Sequence, residues 1–250
     1  MTEWPEDAHR DRLVGDWALW QRKGGHRTST DDVLAAWLAV RTRPAPARYI
    51  DIGCGIGSVM LMVAHATRPG TTFGIEAQAQ SAAMALRTVA ELPSPPSIAI
   101  RHADLRDLDV ADLGGRFDLV TGSPPYFPEG TGIPSPDPQR TACRFELRGG
   151  VEAYCDAAAR LMAANGAFVV VHQTACAGRV LSAAERSGLH LRTRVDVRTR
   201  ADRPAPFLSV FHFEHSAGAT EVLTFATRAA DNTVTAEYER ARSLLGLVTR

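Results

Sequence analysis

Tyr49-Ile50-Asp51-Ile52-Gly53-Cys54-Gly55-Ile56-Gly57 carries an apolar strand into three alternating glycines, and the run after it, 58–67, reads as a helix. Glycine at these positions lets the backbone turn tightly and approach a ligand at the helix N-terminus, where N–H groups lack partners. The same spacing serves dinucleotide pyrophosphates. Asp51 argues against that use, because a carboxylate at the strand end repels a pyrophosphate and suits a cationic amino group.

Downstream, Phe117-Asp118-Leu119-Val120-Thr121-Gly122-Ser123-Pro124-Pro125-Tyr126-Phe127 is a second apolar strand, ending in Ser-Pro-Pro-Tyr. Open parallel sheets bind ligands at the carboxyl ends of their strands. The Ser123 hydroxyl can accept a hydrogen bond from an NH2 group. Pro124 and Pro125 have fixed φ and no backbone donor, so the turn is stiff and its carbonyls can be aimed outward. Tyr126 offers a flat, amphipathic face on which a planar group stacks. Together they describe a clamp for a planar amide or amino nitrogen. The alternative is a Pro-rich turn that closes a buried strand.

Around these stretches strands and helices alternate. Segments 48–52, 72–75, 98–101, 117–120 and 168–172 read as strands, and 58–67, 78–90, 151–163 and 178–187 as helices. Asn165-Gly166 reads as an αL-type helix stop. Strands over 189–199, 207–215 and 221–228 and a helix over 236–245 complete the chain. Ahead of them, Trp17-Ala18-Leu19-Trp20-Gln21 reads as a short strand broken by Gly24-Gly25. A helix starts at Ser29, with Asp32 completing an approximate capping box and Val33, Leu34, Trp37 and Leu38 on one apolar face. This alternation implies a mostly parallel sheet with helices on both faces. The strands 189–199 and 207–215, with no helix between them, imply an antiparallel pair at one edge. Segment 128–150, long and rich in Gly and Pro, reads as a substrate lid.

The chain of 250 residues suits one α/β domain with a short appendage: an N-terminal extension and capping helix over 1–43 and the main domain over 44–250. Hydrophobic content of 45% and charged content of 22% supply an ordinary globular core. A formal net charge of +0 leaves no global field toward nucleic acid or membrane, so any nucleic-acid contact comes from a local patch. Cys54, Cys143, Cys155 and Cys176 are scattered, which argues against a metal site or disulfide framework and for a reducing cytoplasm. The acidic N-terminus is not a signal peptide, and no run is long and apolar enough to span a bilayer.

The D-x-G-x-G-x-G loop resembles the S-adenosylmethionine (SAM) loop of class I methyltransferases. Glu76 ends the second strand, where an acid can accept both ribose hydroxyls. Asp104-Leu105 follows the third, where that family reads the adenine ring. The resemblance implies SAM as cofactor, held by Asp51, Gly53, Gly55, Gly57, Glu76, Asp104, Leu105 and Ser123. Members with [Asn/Asp/Ser]-Pro-Pro-[Tyr/Phe] after the fourth strand methylate planar nitrogens: adenine N6, cytosine N4 or glutamine N5.

Gln21…His26-Arg27-Thr28-Ser29-Thr30-Asp31-Asp32-Val33-Leu34-Ala35 is similar to the N-terminal signature of the bacterial tRNA(Val) anticodon-loop adenine-N6 methyltransferases. Arg27, Ser29, Asp31, Val33 and Leu34 match it, and Arg144 and Glu146 match an Arg-x-Glu after the catalytic loop. This likeness implies tRNA as partner and adds Asp31 to the cofactor residues. The family commonly has Asn at Ser123, and phenylalanines where this chain has His26 and Thr28. The implied fold is a Rossmann-like class I methyltransferase fold with a seven-stranded, mostly parallel sheet, an antiparallel edge strand and helices on both faces.

In such a site Ser123, Pro124, Pro125 and Tyr126 are catalytic. Hydrogen bonds from the two N–H groups of an amine to Ser123 Oγ and the Pro124 carbonyl favour a pyramidal nitrogen with a free lone pair. Tyr126 and Phe127 hold the base, in line with the methyl group, and Arg140, Arg144 and Arg148 can meet phosphates. Arg192, Arg194, Arg198 and Arg200 share one face of their strand, either as a phosphate surface or as a solvated sheet face. The competing readings are a protein glutamine N5-methyltransferase, a small-molecule N-methyltransferase and an inactive SAM-binding scaffold.

Overall fold

The computed structural model describes residues 4–93 and 97–247; residues 1–3 of the acidic N-terminal stretch lie outside them. The chain opens with an antiparallel hairpin of β1 (Ala8–Val14) and β2 (Trp17–Arg22). The tryptophan strand is as expected. β1 is hidden in the sequence because His9, Arg10, Asp11 and Arg12 mask its alternation, and only Leu13 and Val14 are buried. α1 (Thr30–Thr42) follows, with Ser29 as an extended N-cap. The Asp32 carboxylate accepts the Ser29 amide at 3.0 Å, closing the capping box.

The main sheet is built from β3 (Arg48–Ile52), α2 (Ser58–Thr67), β4 (Thr71–Glu76), α3 (Ala79–Ala90), β5 (Ile98–His102), β6 (Phe117–Gly122), α4 (Pro138–Arg144), α5 (Val151–Leu161), β7 (Met162–Gln173), α6 (Ala177–Arg186), β8 (His190–Arg200), β9 (Leu208–Glu214), β10 (Glu221–Arg228) and α7 (Ala236–Leu244). Its strand order is β10-β8-β9-β7-β6-β3-β4-β5. The class is the expected mostly parallel α/β sheet, with two differences. Among the described residues it has eight strands rather than seven, because β10 adds to β8 in parallel. The antiparallel strand, β9, is not an edge: it lies between β7 and β8 and opposes both. Val210, Phe211 and Phe213 of β9 are fully or almost fully buried, so this strand is as apolar as an interior position requires.

The expected αL stop at Asn165-Gly166 is also corrected. α5 ends at Leu161, Met162 is already extended, and neither Asn165 nor Gly166 has positive φ. The segment joins β7 as an irregularity opposite Phe117 and Leu119 of β6.

Side chains alternate across the sheet and feed two cores. Tyr49, Leu119, Val169, Val195 and Val210 face α1 and α2 on one side. Ile50, Ile52, Val120, Phe168 and Phe211 face α5 and α6 on the other. The order reverses at β3: β4 and β5 continue one way, β6 and the later strands the other. A crevice opens at the carboxyl ends of strands at such a switch point. Both glycine loop and Ser-Pro-Pro-Tyr turn emerge there.

Candidate active site

A cavity of about 400 Å³ occupies this crevice, a size suited to a small ligand. Asp31, Asp51, Gly53, Gly55, Glu76, Asp104, Leu105, Ser123, Pro124, Pro125, Tyr126, Phe127, Arg144 and Arg148 all line it. Of the residues expected to hold the cofactor, Gly57 does not; it is the N-cap of α2 at φ 95°, and Arg140, expected to meet phosphates, also lies outside the lining.

Each acid has a distinct setting. Asp51 is 2% exposed, and burial pushes its carboxyl up to about 7. Tyr49 donates to Thr121 Oγ1 at 2.7 Å and Thr121 donates to Asp51 Oδ1 at 2.6 Å, a relay that holds the carboxylate at the cavity floor. Glu76 is nearly as buried, and desolvation raises its pKa although Gly55 N–H (2.8 Å) and Gln78 N–H (2.6 Å) each donate to one oxygen. Asp104 N-caps a short 3-10 turn over Leu105–Asp107. Its two oxygens accept from Arg106 at 2.9 and 2.7 Å, and that pairing holds its carboxyl low.

The glycines differ in what they permit. At Gly53 (φ +70°) a Cβ would lie 2.1 Å from the Tyr154 hydroxyl, whereas at Gly55 (φ +56°) it would meet nothing within 4 Å. Gly53 is therefore small for packing, and Gly55 leaves a cradle open beside Glu76. Tyr154, on α5, also packs on Gly122 and lines the cavity. The sequence carries no local sign of this role, since an apolar helix face with one tyrosine reads as core.

On the opposite wall, the Ser123 hydroxyl is buried with no hydrogen-bond partner. A buried polar group is rarely left so unless a ligand or water completes it. Tyr126 lies beside it, its ring 4.9 Å from that of His172 and its hydroxyl donating to Asp31 Oδ2 at 2.9 Å. The second Asp31 oxygen accepts the Ser29 hydroxyl, so this carboxylate is already engaged by protein. His172 is fully buried, and desolvation lowers its pKa to about 4, which keeps the ring neutral.

Segment 128–150 is folded onto this wall. Asp137 caps α4 with Pro138 in its first turn, a helix within the segment that the sequence reads as a lid. Gln139 is buried and donates to Ser81 at 3.0 Å; Arg22 and Asp137 pair at 2.7 Å. Arg144 lies over the Phe127 ring at 5.5 Å, and both Arg144 and Arg148 are exposed at the mouth. The arginine row of β8 lines no part of the cavity, and Arg192, Arg194 and Arg200 are each paired with an acid.

Five acids, Asp31, Asp32, Asp51, Glu76 and Asp104, thus converge on a cavity with an open glycine cradle and an unpartnered hydroxyl. Such a lining disfavours phosphate and favours a small cation with hydrogen-bonding ends. This lining, with buried acids, an open glycine cradle and an unpartnered hydroxyl, fits SAM, a small cation with hydrogen-bonding groups.

No protein-family model matches the chain. It is 34% identical over 182 residues to a tRNA1(Val) (adenine(37)-N6)-methyltransferase of Dickeya chrysanthemi, across 71% of this chain and 69% of that protein. The chain belongs to this family. A second tRNA1(Val) (adenine(37)-N6)-methyltransferase, from Bacteroides thetaiotaomicron, is 29% identical over 224 residues, covering 88% of this chain and 90% of that one. Among solved structures, a predicted O-methyltransferase from Agrobacterium tumefaciens superposes with a TM-score of 0.62 at 19% identity, covering 88% of this chain and 99% of that one. TYW2 of M. jannaschii, in complex with AdoMet (SAM), gives 0.55 at 14% identity, covering 86% and 89%. These two likenesses show the class I methyltransferase fold. Membership of the tRNA1(Val) methyltransferase family makes the chain a SAM-dependent methyltransferase. Among the described residues no helix is long and apolar enough to cross a membrane, and no group of three or more His, Cys, Asp or Glu is placed to hold a metal ion.

Proposed function

We propose that this chain methylates the exocyclic N6 of an adenine in tRNA, with Ser123 and the Pro124 carbonyl receiving the target amine. The observation that carries this reading is the buried, unpartnered Ser123 hydroxyl at the end of β6, facing a cavity floored by Asp51 and Glu76. When bound, SAM supplies an electrophilic methyl group on a positively charged sulfur. Asp51 would hold its ammonium group, Glu76 its ribose, and Asp104 with Leu105 its adenine. Gly55 would let the backbone approach it closely.

The chain's own residues then act on the nucleophile. Ser123 Oγ and the Pro124 carbonyl accept the two N–H bonds of the amine, drawing the nitrogen toward a pyramidal geometry and releasing its lone pair from the ring. Tyr126 and Phe127 fix the plane of the base so that the lone pair points along the line of transfer. Asp31, bonded to the Tyr126 hydroxyl, serves this wall of the site rather than the cofactor. The base must leave its stack to enter, which a single-stranded loop allows at least cost. Arg144 and Arg148, exposed and outside any ion pair among the described residues, meet the phosphates beside it. Residues 1–43 act as an extension whose helix α1 supplies Asp31 to this wall, on a catalytic domain over 44–250.

The test is incubation with methyl-labelled SAM and cellular RNA and protein. The expected label is released by ribonuclease and recovered as N6-methyladenosine. Protease-sensitive label would move the protein to the glutamine class, and label confined to small molecules would give it a metabolite substrate. Absence of any label would mark it an inactive scaffold.

A further inference from the structure

The Ser-Pro-Pro-Tyr turn is anchored by backbone hydrogen bonds one residue beyond Tyr126. Phe127 N–H donates to the Arg144 carbonyl at 3.0 Å, and the Phe127 carbonyl accepts from Glu146 N–H at 2.9 Å. The position of Phe127, and so of the Tyr126 ring one peptide away, follows the position of Glu146. A single backbone pairing of this kind is weak unless its far side is itself held.

The far side is held by Arg179, on α6. Its Nη1 donates to Glu146 Oε1 at 2.6 Å and its Nη2 to Glu146 Oε2 at 2.9 Å. It also donates to Glu152, in the first turn of α5, from Nε at 2.8 Å and Nη2 at 2.7 Å. One planar guanidinium thus bridges two carboxylates that would otherwise repel each other. The Glu146 side chain is only 9% exposed, and its pair is screened from water on that side. Gly150 sits in the angle between them: a Cβ there would lie 2.5 Å from Arg179 Nη2 and 2.6 Å from the Glu146 carboxyl carbon. This junction has one close-packed arrangement.

We infer that Arg179 is a positioning residue for methyl transfer, acting through Glu146 and Phe127 to hold the Tyr126 ring and the Ser-Pro-Pro-Tyr turn. The inference rests on the proposed role of that turn as the amine clamp. Arg179 itself does not line the cavity. Lysine in its place keeps the charge but, as a compact point donor, loses the planar two-carboxylate geometry. A displacement of about 1 Å in a catalytic group costs about a hundredfold in rate.

The experiment measures kcat, the SAM Kd and thermal stability for Arg179→Lys, Glu146→Gln, Arg186→Lys and Ser123→Ala, with unmodified tRNA and methyl-labelled SAM. Arg186 is the control: it lies on the same helix, 62% exposed and 4.0 Å from Glu152. The expected result is a kcat lowered about tenfold to a hundredfold in both Arg179→Lys and Glu146→Gln, with the SAM Kd within about threefold of the parent and Arg186→Lys unchanged. Parent-like kcat in Arg179→Lys and Glu146→Gln, alongside a large loss in Ser123→Ala, overturns the brace and keeps the clamp. Unchanged kcat in Ser123→Ala overturns the clamp itself. Loss of folding or of SAM binding together with kcat in both brace variants makes Arg179 structural and rejects the inference.

Discussion

The hydroxyl of Tyr126 donates a 2.9 Å hydrogen bond to the carboxylate of Asp31, joining the turn after β6 to the first turn of α1. Hydrogen bonds to a charged acceptor contribute about 1.5–3 kcal/mol. Tyr126→Phe and Asp31→Ala should therefore each lower kcat/KM for tRNA by about tenfold to a hundredfold. The double variant should be little worse than either single one, because both remove the same bond. Tyr126→Ala should be worse than Tyr126→Phe, since it also deletes the stacking face.

The second prediction concerns pH. Asp51 is raised from 3.8 to about 7 by burial, so in the free protein it is largely protonated below about 7. The stability this group contributes is present below pH 3.8 and is lost as pH rises toward about 7, because the unfolded chain releases its proton first. The proposed contact of Asp51 with the SAM ammonium group requires the ionised form. The SAM Kd should rise about tenfold for each pH unit below about 7, and Asp51→Asn should flatten that dependence while weakening binding. Calorimetry across pH checks both; a pH-independent Kd in the parent would remove Asp51 from the ammonium site.

Third, the two glycines of the loop should fail differently. Gly53→Ala places a methyl group against the Tyr154 hydroxyl at positive φ and should destabilise the fold by more than about 1 kcal/mol, seen as a lower melting temperature. Gly55→Ala meets open space, so its stability cost is confined to the backbone strain of about 1 kcal/mol. Its larger effect should be on SAM affinity, because the methyl group fills the cradle.

Fourth, exchanging both Arg144 and Arg148 for Gln should weaken tRNA binding while leaving the SAM Kd within about threefold. Two lost phosphate contacts should also reduce the steepness of the salt dependence, by about two in the log–log slope at most. Filter binding over a salt series reads this directly, and an unchanged slope would place the RNA elsewhere.

Much of the site was legible because its residues sit at strand ends in fixed order. Asp51, Glu76, Asp104 and Ser123 each follow a recognisable apolar run, and the structure brings all four to one cavity. The hairpin strand β1 escaped because only its last two residues are buried. Alternation places the arginines of β8 on one face but does not show what they meet: Arg192 pairs with Glu214 of the neighbouring strand β9, Arg194 with Asp196 and Arg200 with Asp202.

The sequence by itself determined the alternating α/β elements, the glycine loop and the Ser-Pro-Pro-Tyr turn, because hydrophobic period, glycine and proline act within a few residues. Only the tertiary structure decided that β9 lies inside the sheet, that Asp31 serves Tyr126, that Tyr154 needs Gly53, and that Arg179 joins Glu146 to Glu152. Those relations depend on strand order and on distances between residues far apart in the chain. Local propensity does not encode them, and they form when the two cores close around the sheet.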